Sequence, residues 1–196
     1  MAVPMIGALR RVAAPDADEA LYARVAEAEP RAVAEVYDRY HRQVRAFARR
    51  VLGDDAAAED VVQEVFVALP KAIRRFRRES SLGTYLVAIA ARRCHKQRRS
   101  MARRLAAMGR LAKEPVQGQA PDPEREANRQ RLAEVLQRGI DTLSMGHRMV
   151  FVLAAVEERT SPEVADILGI PEGTVRTRLF HARKRLRAFL EKEGVG

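Results

Sequence analysis

The chain has 196 residues, 47% of them hydrophobic and 32% charged, with a net charge of +10 and a pI near 10.5. A single cysteine, Cys94, excludes an internal disulfide and a cysteine-based zinc site, and no apolar run approaches membrane-spanning length. The basic excess favours a polyanionic partner, nucleic acid ahead of a membrane surface.

Apolar residues recur at helical spacing nearly throughout, without an alternating strand pattern of useful length. The predicted fold is therefore all-α: two small helical domains joined by a flexible linker. Residues 1–18, with Pro4, Gly7 and Pro15, read as a disordered start. The arginines of this segment follow its apolar stretch, the reverse of a secretory signal. A first domain is expected over 19–107. It opens with a helix from about Glu19 and a longer one from Pro30, whose stripe runs from Val33 through Val44 and Phe47 to Val51. Gly53 should end that helix. A third helix from about Ala56 buries Val62, Val65, Phe66, Leu69, Ile73 and Phe76, and Pro70 should kink it or remove a hydrogen bond. On another face Asp60, Gln63, Glu64 and Val67 lie one turn apart. By themselves these read equally as a solvated surface whose N-terminal acids suit the helix dipole.

The turn Arg77–Ser81 precedes a fourth helix, with Ser80 or Ser81 as its cap. Leu82, Tyr85, Leu86 and Ile89 open it, and Arg92, Arg93, Lys96, Arg98, Arg99, Arg103 and Arg104 follow. No acid interrupts the stretch from Leu82 to Ala112. Such one-sided charge repels itself without a partner, so phosphate contact is expected here. Residues 108–128, with Gly109, Pro115, Gly118, Pro121 and Pro123, read as the linker.

A second domain is expected over 129–192, with helices through Leu132–Ile140 and Val150–Val156 and a helical hairpin over Thr160–Leu190. Thr160 and Glu163 have capping-box spacing. Gly169 stops the first helix of the hairpin and Pro171 suits the start of the second. Val175, Leu179, Ala182, Leu186 and Leu190 make an apolar stripe, and arginines occupy much of the remainder. Two short-linked helices, the second polar and basic, match a DNA-binding helix-turn-helix. The plainer alternative is an amphipathic hairpin with a solvated basic face.

The order of these parts resembles a bacterial sigma factor of the extracytoplasmic-function (ECF) group, over about Glu29 to Leu190. AEDVVQEVFVAL (58–69) looks like the region-2 helix that binds the RNA polymerase clamp, and SSLGTYLVAIAARR (80–93) like the segment that melts and reads the −10 promoter element. EVADILGIPEGTVRTRLFHARKRL (163–186) is close to the region-4 helix-turn-helix that reads the −35 element. The resemblance implies a core-polymerase face at Asp60, Gln63, Glu64 and Val67. It implies −10 DNA contacts at Phe76, Arg77, Ser80, Ser81, Tyr85, Arg92, Arg93 and Lys96. It implies −35 DNA contacts at Gly173, Thr174, Arg176, Thr177, Arg178, Phe180, His181 and Arg183, with the Gly173–Thr174 backbone placed to receive a phosphate.

Several positions depart from the family pattern. Tyr85 and Arg92 stand where Trp and Asn are common, Ala88 replaces a frequent Arg, Gly83 and Pro70 replace larger residues, and Arg159 replaces an apolar one. The expected partners are core RNA polymerase, promoter DNA and an anti-sigma factor. The protein should be cytoplasmic, monomeric when free or one-to-one with its inhibitor, and without membrane insertion, cofactor, metal or catalytic activity of its own. A stand-alone helix-turn-helix regulator is the rival reading, although it would not need residues 58–69 or 80–99. An enzyme is disfavoured: His41, His95, His147 and His181 are scattered, without metal-ligand spacing, nucleophile elbow or phosphate loop.

Overall fold

A computed structural model describes the backbone of residues 15–108 and 123–194 and the side chains of residues 19–98 and 131–194. Eight α-helices and one π-helical turn make up its regular structure, and no strand occurs among the described residues. Helices α1 (Pro15–Ala26), α2 (Pro30–Leu52), α3 (Asp55–Ile73) and α4 (Leu82–Met108) form the first half. Helices α5 (Pro123–Asp141), α6 (Met145–Phe151), α7 (Ser161–Leu168) and α8 (Glu172–Lys192) form the second, with the π-helical turn Val152–Val156 running on from α6.

Local chemistry sets the boundaries. Pro30 occupies the first turn of α2, where its missing N–H costs nothing. Gly53 closes α2 in the left-handed conformation at φ 68°, donating its N–H to Arg49 O at 2.8 Å. Asp54 caps α3 by accepting from Ala57 N at 2.8 Å. Asp55 then holds α2 against α3 through Arg45 and Arg49, each at 3.0 Å. Helix α3 continues past Pro70 to Ile73. Ser81 is the residue that caps α4, accepting from Thr84 N at 3.2 Å. Gly83 lets α4 pass close to α2: a Cβ there would lie 2.9 Å from Gln43 Oε1 and 3.1 Å from the Tyr40 ring. A side chain at this position would require the Gln43 amide and the Tyr40 ring to shift.

The edges differ from expectation at two places. Helix α1 opens at Pro15, ahead of Glu19, and α5 opens at Pro123, inside the stretch read as linker. Both begin on a proline. Proline breaks a helix interior but suits a first turn, and residue counting does not distinguish the two. Residues 1–14 and 109–122, where the disordered start and most of the linker were expected, lie outside the described residues.

The helix-turn-helix follows its sequence signals closely. Thr160 and Glu163 close a complete capping box on α7. Gly169 ends α7 at φ 63°, and Val164, Ile167, Val175, Ala182 and Leu186 are buried. The two halves are not separate bodies. Buried residues of α6, the π-helical turn, α7 and α8 belong to one continuous apolar cluster with those of α1–α4, and α4 packs on α7.

Candidate nucleic-acid interface and the acidic ridge beside it

The end of α3 and the middle of α4 diverge to leave an open groove of about 600 Å³. Ala68, Ala72, Tyr85 and Ile89 form its floor and walls, and Lys71, Arg75, Arg92, Arg93 and Lys96 stand along it. Five cations around a partly apolar floor make a site for a phosphate chain carrying flat, stackable groups. Tyr85 is fixed in place because its hydroxyl donates to Ala72 O at 2.9 Å, one of the last carbonyls of α3. Phe76 supports Tyr85 from behind, with ring centroids 4.8 Å apart, and meets Tyr22 edge-on at 5.7 Å.

Of the eight residues expected at this site, Tyr85, Arg92, Arg93 and Lys96 line the groove. The other four stand in or beside the loop that leads to it. Phe76 is half-buried against the aromatic pair, the Ser81 hydroxyl is occupied as a cap, and Arg77 and Ser80 are exposed. In that loop Arg78 takes φ 60°, pairs with Glu19 at 3.0 Å and lies over the Tyr22 ring. Lys71 and Arg75 were missed. Their signal is the i, i+4 spacing of cations after Pro70, once the acids of α3 have ended.

The acidic ridge runs beside this groove. Asp60, Gln63 and Val67 are exposed, Val67 by 82%. Two of its polar groups are engaged by α4: Arg93 donates to Glu64 Oε2 at 2.9 Å and Gln97 to Asp60 Oδ2 at 3.4 Å. The ridge therefore presents the bare Val67 side chain beside two carboxylates, of which Glu64 is paired with a cation of α4 and Asp60 accepts from a neutral amide.

On α8, helical geometry of 100° per residue puts Gly173, Arg176, Thr177, Phe180 and Arg183 on one side, with Lys184 and Arg187 added to that face. Phe180 is 64% exposed there, an apolar ring bordered by cations. Arg176 is held by Glu172 at 2.6 Å, and the Thr177 hydroxyl donates to Gly173 O at 3.0 Å. Arg178 is placed differently. It folds back over α6, where a Cβ at Gly146 would lie 3.2 Å from its guanidinium. His181 flanks the face and meets His147 edge-on at 6.2 Å. Burial, followed by the nearby Arg178, His181 and Arg185, holds the His147 imidazole below its ordinary pKa and so favours its neutral form. The Thr174 N–H is taken by Pro171 O at 2.9 Å, so only part of the expected Gly173–Thr174 backbone site remains for an anion.

The basic groove, the acidic ridge and the basic hairpin fall within two matched family profiles, sigma-70 region 2 over residues 36–104 and sigma-70 region 4 over 133–186. The chain belongs to the sigma-70 family, in its ECF group. It is 28% identical over 184 residues to the RNA polymerase sigma factor NccH of Alcaligenes xylosoxydans xylosoxydans, covering 92% of this chain and 98% of the relative. It is 28% identical over 178 residues to the ECF RNA polymerase sigma-E factor of Escherichia coli K12, covering 86% and 92%. Among solved structures, CnrH in complex with the cytosolic domain of CnrY matches with a TM-score of 0.61 and 29% identity, over 90% of this chain and 99% of that one. The sigma factor RpoE bound to the anti-sigma factor NepR from Bartonella quintana shares the fold, with a TM-score of 0.61 and 22% identity over 81% and 96%. In this sigma-70 family member the groove and the ridge lie in region 2, and the exposed face of α8 in region 4.

Proposed function

We propose that the protein is a transcription initiation factor that binds core RNA polymerase and directs it to promoters carrying particular −35 and −10 elements. The observation that carries the division of labour is the placement of three unlike surfaces on one chain: a ridge with bare Val67, a cationic groove walled by Tyr85, and an exposed basic face on α8. The ridge of Asp60, Gln63, Glu64 and Val67 docks on polymerase. An apolar side chain ringed by carboxylates suits a basic protein surface better than it suits DNA.

The groove takes the −10 strand once unpaired. Extracting a base costs a few kcal/mol of stacking, and Tyr85 backed by Phe76 supplies an aromatic wall against which that cost is recovered. Lys71, Arg75, Arg92 and Lys96 hold the phosphates. The Arg77–Ser81 loop borders the mouth. Region 4 reads the −35 duplex in the major groove, with Arg176 and Arg183 offering bonds to guanine or phosphate and Phe180 placed for a thymine methyl.

The chemistry of RNA synthesis belongs to the polymerase, and the protein works where the polymerase does, in the cytoplasm. No helix among the described residues is long and apolar enough to cross a membrane. Two structural relatives are bound to partner proteins, the anti-sigma factor NepR in one case and the cytosolic domain of CnrY in the other. An anti-sigma partner that covers the ridge fits the exposure of Val67 in the same way. Paired variants test the assignment. Glu64→Arg should weaken capture by core polymerase, whereas Arg176→Ala with Arg183→Ala should leave capture intact and impair use of −35-dependent promoters. Equal loss of core binding in both would overturn the division of labour.

A further inference from the structure

Helix α1 lies ahead of the matched region-2 profile, which begins at residue 36. Its contacts nevertheless converge on the segment from Arg74 to Arg78, which leads into the basic groove. Arg74 closes α3 and donates from Nε and Nη2 to Ala26 O at 3.1 and 2.7 Å. Ala26 ends α1, where helix carbonyls lack intrahelical donors, so the end of α3 caps the end of α1. The Tyr22 ring meets Phe76 edge-on at 5.7 Å, and Phe76 lies 4.8 Å from Tyr85. Three rings thus run in a row from α1 to the groove wall. Farther along the loop, Arg78 pairs with Glu19 at 3.0 Å, and its guanidinium lies 5.7 Å from the centre of the Tyr22 ring. The helix that makes these contacts is itself well seated. Leu21 and Val25 are buried in the core, and Arg24 donates twice to Glu29 at 2.7 Å, closing the turn into α2.

Arg78 is the strained member of this set. It takes φ 60°, a left-handed conformation that a residue with a Cβ adopts only at a cost. The ion pair and the ring contact oppose that strain, and each is of the same order as the strain itself. The loop is therefore poised, and α1 decides its shape. An arginine at the mouth of a DNA groove would serve a phosphate best with its charge free, yet here the charge is spent on a carboxylate. We propose that α1 is a strut of the strand-capturing site. Glu19 and Tyr22 are positioning residues that fix the Arg77–Ser81 loop through Arg78 and back the Tyr85 wall through Phe76. The inference rests on the proposed −10 role of the groove for its consequence, while the strut itself is tested in the free chain.

Glu19→Gln tests the strut by the sign of its effect. Glu19 is exposed, so the substitution leaves the fold intact, which helical ellipticity verifies. It also removes a negative charge near the groove. Were Arg78 a direct phosphate contact, freeing it would speed strand capture. A strut predicts the opposite. The shape of the segment is read in the free full-length chain by residue-resolved hydrogen exchange. The Arg75 and Phe76 N–H groups donate to Ala72 O and Ile73 O at 2.9 and 3.0 Å, so their exchange reports how often the segment opens. Capture is read on holoenzyme assembled with core polymerase, at a start mapped with the wild-type protein, by permanganate reactivity of unpaired thymines.

Glu19→Gln should speed exchange at Arg75 and Phe76 by about two- to fivefold, the weight of one exposed ion pair. It should slow promoter opening by a similar factor and leave the initial binding of duplex promoter unchanged. In an Arg78→Gln background the same substitution should have no further effect on either readout, because the pair is already broken. Exchange that Glu19→Gln leaves unchanged overturns the strut. So does promoter opening that is unchanged or faster in that variant. An equal effect with and without Arg78 also overturns it, since the pair would then not be the link. If exchange responds as expected but wild-type holoenzyme opens no promoter, the sigma-factor reading fails and the strut stands.

Discussion

Replacing Arg148 by Met removes a buried cation while nearly conserving volume. Two backbone carbonyls, Val51 O and Asp141 O, lose donors at 2.8 and 2.7 Å, and each buried acceptor left unmade costs about 1–3 kcal/mol. The Asp141 carboxylate is 43% exposed, so water largely compensates it and the broken ion pair adds only about 0–1 kcal/mol. Against this, the variant no longer buries a charge. Arg148 Nε has no hydrogen-bond partner among the described residues, and burial holds the guanidinium below its ordinary pKa, so removing it recovers about 1–3 kcal/mol. The carbonyls outweigh the relief, leaving a net loss of about 1–4 kcal/mol. With a urea slope of about 2 kcal/mol/M for a chain of this size, the midpoint should fall by roughly 0.5–2 M. Equilibrium unfolding followed by far-ultraviolet ellipticity measures this directly. An unchanged or higher midpoint would show that Arg148 is an electrostatic burden and would refute the reasoning.

Other outcomes follow from single contacts. Tyr85→Phe keeps the aromatic wall but removes the hydroxyl donated to Ala72 O at 2.9 Å, so the thermal midpoint should drop by an amount equivalent to about 0.5–1.5 kcal/mol. Thr160→Ala breaks the capping box, at a cost of about 1 kcal/mol in chemical denaturation at neutral pH. In the wild type the Thr160 backbone N–H holds the Glu163 carboxyl below the ordinary glutamate range. That stabilisation is present above the unfolded pKa and is lost as pH falls through the lower folded value. The gap between wild type and Glu163→Ala, which removes the carboxylate that this N–H holds, should therefore close in acid. Glu157 behaves oppositely: burial raises its pKa despite Arg50 and Arg159. Its contribution is complete below the unfolded pKa and is lost as pH rises through the folded one. Relative to Glu157→Gln, wild type should lose stability as pH rises from the ordinary glutamate range through its raised folded value, as read from paired urea titrations.

Much of the fold was legible because its signals are local. Gly53 and Gly169 take the left-handed caps that their positions demanded, and Thr160 with Glu163 forms the predicted box. The outward face of α8 followed from spacing alone, since Val175, Ala182 and Leu186 are buried and fix which side remains outward. Arg178 escaped this reasoning because its placement depends on space above Gly146, a residue 32 positions earlier. Lys71 and Arg75 escaped because groove membership is set by the divergence of two helices rather than by periodicity on one. The junction of the halves was least legible. Arg148 lies on an ordinary amphipathic helix, and only the tertiary fold shows that its acceptor is the end of α2. Gly83, a departure from the family pattern, has its reason in the close approach to Tyr40 and Gln43.

The most direct test is to map transcript 5′ ends made on genomic DNA by core RNA polymerase with and without this protein. A sigma factor predicts a set of new starts that share one upstream −35 and −10 pair at fixed spacing, abolished by Arg176→Ala with Arg183→Ala. Starts that are unchanged by adding the protein, while it still binds duplex DNA alone, would contradict that claim and favour a stand-alone DNA-binding regulator.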